Sequence, residues 1–245
     1  MNEGEGKKVI VIAGASSGTG KAMALHFGKL GYRVAFCARR FKLLREIESK
    51  IKEGGGNALA VRADMSVWED VKKFVDTVID TFGRIDVLVN NVGAGIRFSN
   101  FENYSIEEID YGIAVNLHSV IYACRAVVPV MKDQGSGHII NVSSILGKRS
   151  RGGFAVYSAA KHGVEGFSRA LLNEVRSYGI KVSILAPAAI ETPWAEKAGV
   201  KLDSDVEFLK PDDLAKVVEL LVETPPHVDI WNIDIISREQ VIDPL

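Results

Sequence analysis

The sequence predicts an α/β fold: a central, mostly parallel sheet with helices packed on both faces. Three observations predict it. Short apolar runs alternate with longer amphipathic stretches along nearly all of the 245 residues. Most of those runs are continuously apolar rather than alternating, which is the pattern of strands covered on both sides. The first run passes directly into a glycine-rich turn, AGASSGTG (13–20), and then into an amphipathic stretch.

Taken in order, Lys8 to Ala13 reads as the first strand, and a helix follows from about Gly20 to Leu30, ended by Gly31. RVAFCA (33–38) is the second strand, and a helix covers Phe41 to Gly54. ALAVRAD (58–64) is the third strand; the apolar spacing of Val67 to Phe82 predicts a helix. IDVLVNN (85–91) is the fourth strand. One long helix spans about Ile106 to Met131 and passes through Asn116. A strand at 139–142 precedes a helix that Tyr157 opens and that runs to about Tyr178. KVSILAP (181–187) is a strand, and 188–210 reads as irregular or partly helical. Pro211 suits the first turn of a helix to Val222. WNIDIIS (231–237) closes the sheet. Right-handed crossovers then give a doubly wound, Rossmann-type, three-layer arrangement. No linker, repeat or composition shift divides the chain, so residues 1–245 are expected to form one domain.

Composition sets bounds on function. A formal net charge of -1 gives no basic excess for nucleic acid, and none is expected as a partner. No unbroken run of about 18 apolar residues occurs, so a membrane span is not expected. Met1 to Gly6 is short and polar, unlike a signal peptide. Cys37 and Cys124 both lie in apolar segments and read as buried, reduced thiols, which suits a cytoplasmic protein. No metal site is expected.

The turn after the first strand is the natural seat of a dinucleotide. Gly14, Gly18 and Gly20 permit a tight turn and close backbone approach, and the following helix offers free N–H groups to a pyrophosphate. The spacing is GxxxGxG rather than GxGxxG, and no phosphate-loop lysine follows. After the second strand a carboxylate would bind the 2'-hydroxyl of NAD, but here Ala38-Arg39-Arg40 follows instead. Arginine grips a 2'-phosphate through charge-assisted hydrogen bonds. NADP(H) is therefore the favoured cofactor, with Arg39 the stronger candidate, Arg40 the second and NAD(H) the alternative. Asp64, with the Met65 backbone beside it, either accepts from the adenine amino group or caps the next helix. Asn90-Asn91-Val92-Gly93 ends the fourth strand at the sheet's carboxyl edge, where Asn91 and Gly93 either meet the cofactor or tie loops together.

The chemistry-bearing stretch is GHIINVSSILGKRSRGGFAVYSAAKHG (137–163). Tyr157 and Lys161 stand at i and i+4, so a helix puts them on one face. A tyrosine with pKa near 10 is a poor base at pH 7, and an adjacent ammonium favours its phenolate. Ser144 is placed to donate to the same substrate oxygen as charge develops on it. Asn116, polar within IAVNLHSVIYA, needs buried partners, for which a water or backbone link toward Lys161 is one solution.

Together AGASSGTG (13–20), NNVG (90–93), Asn116, Ser144, YSAAK (157–161) and PAAIETP (187–193) resemble the short-chain dehydrogenase/reductase family over nearly the whole chain. The resemblance implies a catalytic tetrad of Asn116, Ser144, Tyr157 and Lys161. It implies that Gly14, Ser16, Ser17, Gly18, Thr19 and Gly20 face phosphates and adenosine ribose. Tyr157 and Lys161 would also meet the nicotinamide ribose, and Pro187, Ile190 and Thr192 the carboxamide end. Three positions depart from the family pattern: Ala13 for threonine, Val92 for alanine, and Ala188 for glycine. None removes a catalytic group.

The implied activity is reversible hydride transfer between NADP(H) and a carbonyl or secondary alcohol. The alternatives are an NAD-dependent sugar or steroid dehydrogenase, or a non-catalytic NADP(H)-binding regulator on the same fold. Gly95, Ile96, Ile145, Phe154 and Trp194 are the candidate substrate contacts. A 3-oxoacyl thioester, a hydroxy acid and a small ketone all suit them. Lys148, Arg149 and Arg151 form a basic run at the same edge, read first as a solvated loop and second as an attraction for an acidic substrate. The resemblance also implies a homodimer or homotetramer through the 106–131 and 157–178 helices, with the C-terminal WNIDIISREQVIDPL as a second contact.

Overall fold

The computed structural model describes residues 7–240. Met1 to Gly6 and the last five residues of the C-terminal contact segment lie outside the described residues. One seven-stranded sheet runs through the molecule in the order β3-β2-β1-β4-β5-β6-β7, and every pairing is parallel. The strands are β1 (Val9–Ala13), β2 (Arg33–Ala38), β3 (Asn57–Arg62), β4 (Val87–Asn90), β5 (Gly137–Val142), β6 (Ile180–Pro187) and β7 (Asn232–Ile235). The helices are α1 (Gly18–Lys29), α2 (Phe41–Glu53), α3 (Trp68–Phe82), α4 (Ile106–Ile113), α5 (Ser119–Gln134), α6 (Ala155–Val175), α7 (Pro193–Lys197) and α8 (Pro211–Glu223). This is the doubly wound Rossmann-type architecture.

The period of two along each strand divides the core between the sheet faces. Val9, Val11 and Ala13 of β1 join α3, α5 and α6 in one apolar cluster. Ile10 and Ile12 join α1, α2 and α8 in the other. Because both faces are covered, β1 can be apolar at every position, and all five of its residues are buried. The chain leaves β1 toward one face and β4 toward the other. The crevice between their carboxyl ends is the place where such sheets take ligands.

Four details differ from the sequence reading. Tyr157 is the third residue of α6, not its first, because the helix begins at Ala155 after the Phe154 turn. β4 starts at Val87, since the Asp86 carboxylate accepts from the Val9 amide (2.7 Å) and from Arg84. β5 begins two residues earlier, at Gly137. The long central helix is interrupted by a π segment, Ala114–His118, which holds Asn116. By length and composition alone, Ile106–Gln134 is apolar enough to cross a membrane, although no unbroken apolar run exists. Within the fold Val120, Ala123, Cys124, Val127 and Met131 of α5 bury against the sheet. Cys37 and Cys124 are buried free thiols, each pushed up to about 12 by burial.

Candidate active site

The carboxyl edge opens into a cleft of ≈ 500 Å³ that runs from the glycine-rich turn to Trp194. At one end lies the turn after β1. Gly14 has φ +86°, and a side chain there would meet the Asn91 carbonyl at 3.0 Å. Gly20 faces away from the cleft: a Cβ on it would stand 2.2 Å from the Gly14 carbonyl oxygen. Its role is the close approach of α1 to the turn. Ser16, Ser17, Gly18 and Thr19 line the cleft with Gly14. Asn91 braces this loop, donating to the Gly14 carbonyl (3.1 Å) and accepting from the Thr19 hydroxyl (2.7 Å).

The two arginines after β2 have different partners. Arg40 Nη2 donates to the hydroxyls of Ser16 (2.8 Å) and Ser17 (2.7 Å), so its guanidinium lies over the glycine-rich turn. Arg39 turns the other way, toward the Tyr111 hydroxyl (3.2 Å) and the Asp64 carboxylate (3.7 Å). Asp64 itself accepts from the Ser66 amide (3.0 Å) and hydroxyl (2.6 Å), a local turn ahead of α3. Asp64 and Met65 still line the cleft. The geometry suits a dinucleotide: a backbone turn with free amides, two hydroxyls and a guanidinium form a cradle for phosphate oxygens.

The other end brings Ser144, Tyr157 and Lys161 together. Ser144 sits just past β5, with its hydroxyl accepting from the Leu146 amide (3.2 Å). Tyr157 and Lys161 share one face of α6, both buried, with Lys161 Nζ 5.8 Å from the tyrosine ring centroid. Lys161 donates to the Val142 carbonyl (2.9 Å), which pins its ammonium to the end of β5. Burial pushes the Tyr157 phenol up to about 12, and the Ser144 hydroxyl pulls it the other way. Burial lowers Lys161 to about 8, partly opposed by the charge of Glu165.

Asn116 lies behind this group and does not line the cleft. Its amide donates to the carbonyls of Gly112 (3.0 Å) and Ala94 (3.3 Å), and its oxygen accepts from the Ala94 amide (3.2 Å). Gly93 fills the gap between: a Cβ there would stand 3.4 Å from Asn116 Oδ1 and 4.0 Å from Lys161 Nζ.

Pro187, Ile190 and Thr192 also line the cleft; the Pro187 carbonyl accepts from the Ser144 hydroxyl (3.5 Å), and Thr192 caps α7 by accepting from the Trp194 amide (3.4 Å). Of the candidate substrate contacts, Gly95, Ile145, Phe154 and Trp194 line the cleft. Ile96 does not: it packs with Tyr104 and Val156 in a small core beneath Tyr157. Phe154, Tyr157 and Trp194 form an aromatic wall, with ring centroids 5.2 Å apart for Tyr157 and Trp194. The basic run divides. Lys148 pairs with Asp234 and Asn232 of β7, whereas Arg151 lines the cleft. Sequence reasoning missed Gln240, which also lines the cleft and accepts from the Ala189 amide (3.0 Å). The partner lies 51 residues away, and no local signal marks it.

The short chain dehydrogenase family profile matches residues 8–203, and the chain belongs to that family. A curated relative, an uncharacterized oxidoreductase of Staphylococcus epidermidis, is 31% identical over 229 residues, covering 94% of this chain and 96% of its own. The crystal structure of an alcohol dehydrogenase from Thermococcus sibiricus, complexed with 5-hydroxy-NADP, superposes with a TM-score of 0.90 at 28% identity, covering 98% of this chain and 100% of that one. A 3-ketoacyl-(acyl-carrier-protein) reductase from Brucella melitensis, complexed with NADH, superposes at 0.84 with 33% identity, covering 93% and 96%. The protein is thus an oxidoreductase of the NAD(P)(H)-dependent, hydride-transferring kind, and its cofactor class is the nicotinamide dinucleotides.

Proposed function

We propose that the chain transfers hydride between NADP(H) and a carbonyl or secondary alcohol, with Tyr157 as the acid/base. The observation that supports it most is the meeting of Ser144, Tyr157 and Lys161 at one end of a cleft whose other end is the glycine-rich turn. The loop of Gly14 to Thr19 would hold phosphates, Arg40 a 2'-phosphate, and Lys161 ribose hydroxyls. A bound nicotinamide supplies the hydride in reduction and takes it up in oxidation.

The chain's own residues handle the oxygen. In reduction the Ser144 hydroxyl donates to the carbonyl oxygen, where negative charge builds. Tyr157 gives its phenolic proton to that oxygen as the carbonyl becomes an alcohol. The Lys161 ammonium favours the phenolate left behind. In oxidation the phenolate takes the alcohol proton. Asn116 holds Ala94, and so the floor of the cleft, through two hydrogen bonds, and a third to the Gly112 carbonyl fixes its amide. A relay water would have to donate to Asn116 Oδ1, because both amide protons are already engaged.

We also infer that the chain acts as a homodimer or homotetramer in the cytoplasm. The helical stretch 106–134 leaves Ile106 exposed, and a second copy would cover it.

A panel of ketones, 3-oxoacyl thioesters and oxo acids, followed by loss of NADPH absorbance and repeated with NADH, tests the activity. Consumption of NADPH in preference to NADH by at least one carbonyl compound is the expected result. Cofactor binding with no turnover of any member favours the regulator reading instead.

A further inference from the structure

We propose that Arg151 and Lys197 form an anion-recognising rim at the substrate end of the cleft, and that the substrate is a hydroxy or oxo acid with a free carboxylate. This rests on the hydride-transfer reading above and narrows its substrate class.

Six charged side chains line the cleft: Arg39, Arg40, Asp64, Arg151, Lys161 and Lys197. Asp64 is the sole carboxylate among the described residues that line the cleft, and it lies with Arg39 at the far end, beyond β2 and β3. Lys161 is buried and held by the Val142 carbonyl. That leaves Arg151 and Lys197 at the substrate end with no carboxylate facing them among the described residues. Among the described residues neither makes a side-chain hydrogen bond or ion pair. Lys148 of the same basic run differs, being neutralised by Asp234.

Their placement ties them to the reacting oxygen. Arg151 is one turn before Phe154, whose amide donates to the Arg151 carbonyl (3.1 Å). Lys197 is one turn beyond Trp194 on α7. Phe154 and Trp194 are the two rings packed around Tyr157, with centroids 6.4 Å and 5.2 Å from it. Both cations therefore stand next to the aromatic wall that borders the phenol, and they approach from two separate segments. Ile145 and Leu146 add apolar lining to the cleft. Such a site suits a short apolar body with one anionic end. It offers little to a sugar, whose many hydroxyls need matching polar partners.

A carboxylate bound by arginine gains charge-assisted, two-pronged hydrogen bonds. Both cations are exposed, so solvent screens them and the effect should weaken with added salt.

The test compares short 3-hydroxy acids with their methyl esters, using NADP+ as oxidant, in the wild type and in Arg151→Gln, Lys197→Gln and the double variant. Calorimetric binding of butyrate, which has the carboxylate but no reacting hydroxyl, gives a readout independent of turnover. The wild type should prefer acid to ester in kcat/KM by about tenfold or more. Arg151→Gln should remove most of that preference through KM, lower kcat/KM for acids far more than for esters, and weaken butyrate binding. Turnover of esters with no preference for acids, or a preference that survives the double variant, overturns the inference and leaves the hydride-transfer reading standing. Butyrate bound through Arg151, with no alcohol or carbonyl compound turned over, supports the rim and removes the hydride-transfer reading.

Discussion

The Asn116 carboxamide and the Ala94 peptide exchange a pair of hydrogen bonds, with Ala94 N donating at 3.2 Å and Asn116 Nδ2 returning one at 3.3 Å. The π segment makes this possible. Its wider turn interrupts the ordinary helical ladder, and the same Nδ2 takes up the Gly112 carbonyl one turn back. Asn116→Asp would set an acceptor against two carbonyl oxygens in a fully buried position. Leaving two buried acceptors unmatched costs about 2–4 kcal/mol. Denaturant unfolding at pH 7 should show that loss, with part recovered at pH 5 as the new carboxyl takes up a proton. An unchanged midpoint would mean the pair carries no weight.

Cofactor choice should depend more on Arg40 than on Arg39. Arg40 already lies on Ser16 and Ser17, whereas Arg39 is shared between Tyr111 and Asp64. Arg40→Gln is expected to raise KM for NADPH about tenfold or more, with little change for NADH. Arg39→Gln should do less. Equal losses with both cofactors would argue that Arg40 supports only the loop.

The rate of reduction should fall above about pH 8. Burial lowers Lys161 to about 8, so its ammonium is present below that pH and lost above it. With the charge gone, the phenolate that forms on Tyr157 loses its stabilising neighbour. Initial rates from pH 6 to 10 at saturating NADPH check this. Lys161→Arg, which stays charged throughout, should be slower but lack that falling limb. A wild-type profile flat to pH 10 would contradict the assignment.

A further pH effect should appear in stability. His138 is buried on β5, its ring nitrogen 2.8 Å from the Ser183 hydroxyl, and burial first, then Lys181 and Lys8, lower its pKa to about 3. The folded pKa is depressed, so the imidazole is neutral in the fold while the unfolded chain binds a proton below about 6.5. Stability is complete above that value and declines as pH falls toward 3. At pH 5 the loss from this group is about 2 kcal/mol. Thermal midpoints between pH 7 and 5 should fall less steeply for His138→Asn than for the wild type. Parallel slopes would assign the acid sensitivity elsewhere.

Local patterns in the sequence carried far. All seven strands and their order along the chain were legible, because each is a short apolar run between helical periods. Ser144, Tyr157 and Lys161 were legible because strand-end and i, i+4 placement are local facts. What failed to show depended on contacts between distant segments. Asn116 reads as an isolated polar residue until the π turn brings Ala94 to it. Ile96 looked like a pocket residue, but it packs under Tyr157 with Tyr104 and Val156. Sequence position favours Arg39 over Arg40 for a 2'-phosphate, and the direction each side chain takes reverses that order. Lys148 and Arg151 belong to one basic run, yet β7 neutralises only the first.

The most direct test is the Tyr157→Phe variant in single-turnover NADPH oxidation at pH 7, using a carbonyl substrate that the wild type reduces, with NADPH binding followed by fluorescence. Loss of the phenolic hydroxyl should lower the rate by about 10²–10⁴ while NADPH binds as before. A variant that reduces the substrate at the wild-type rate would contradict the account.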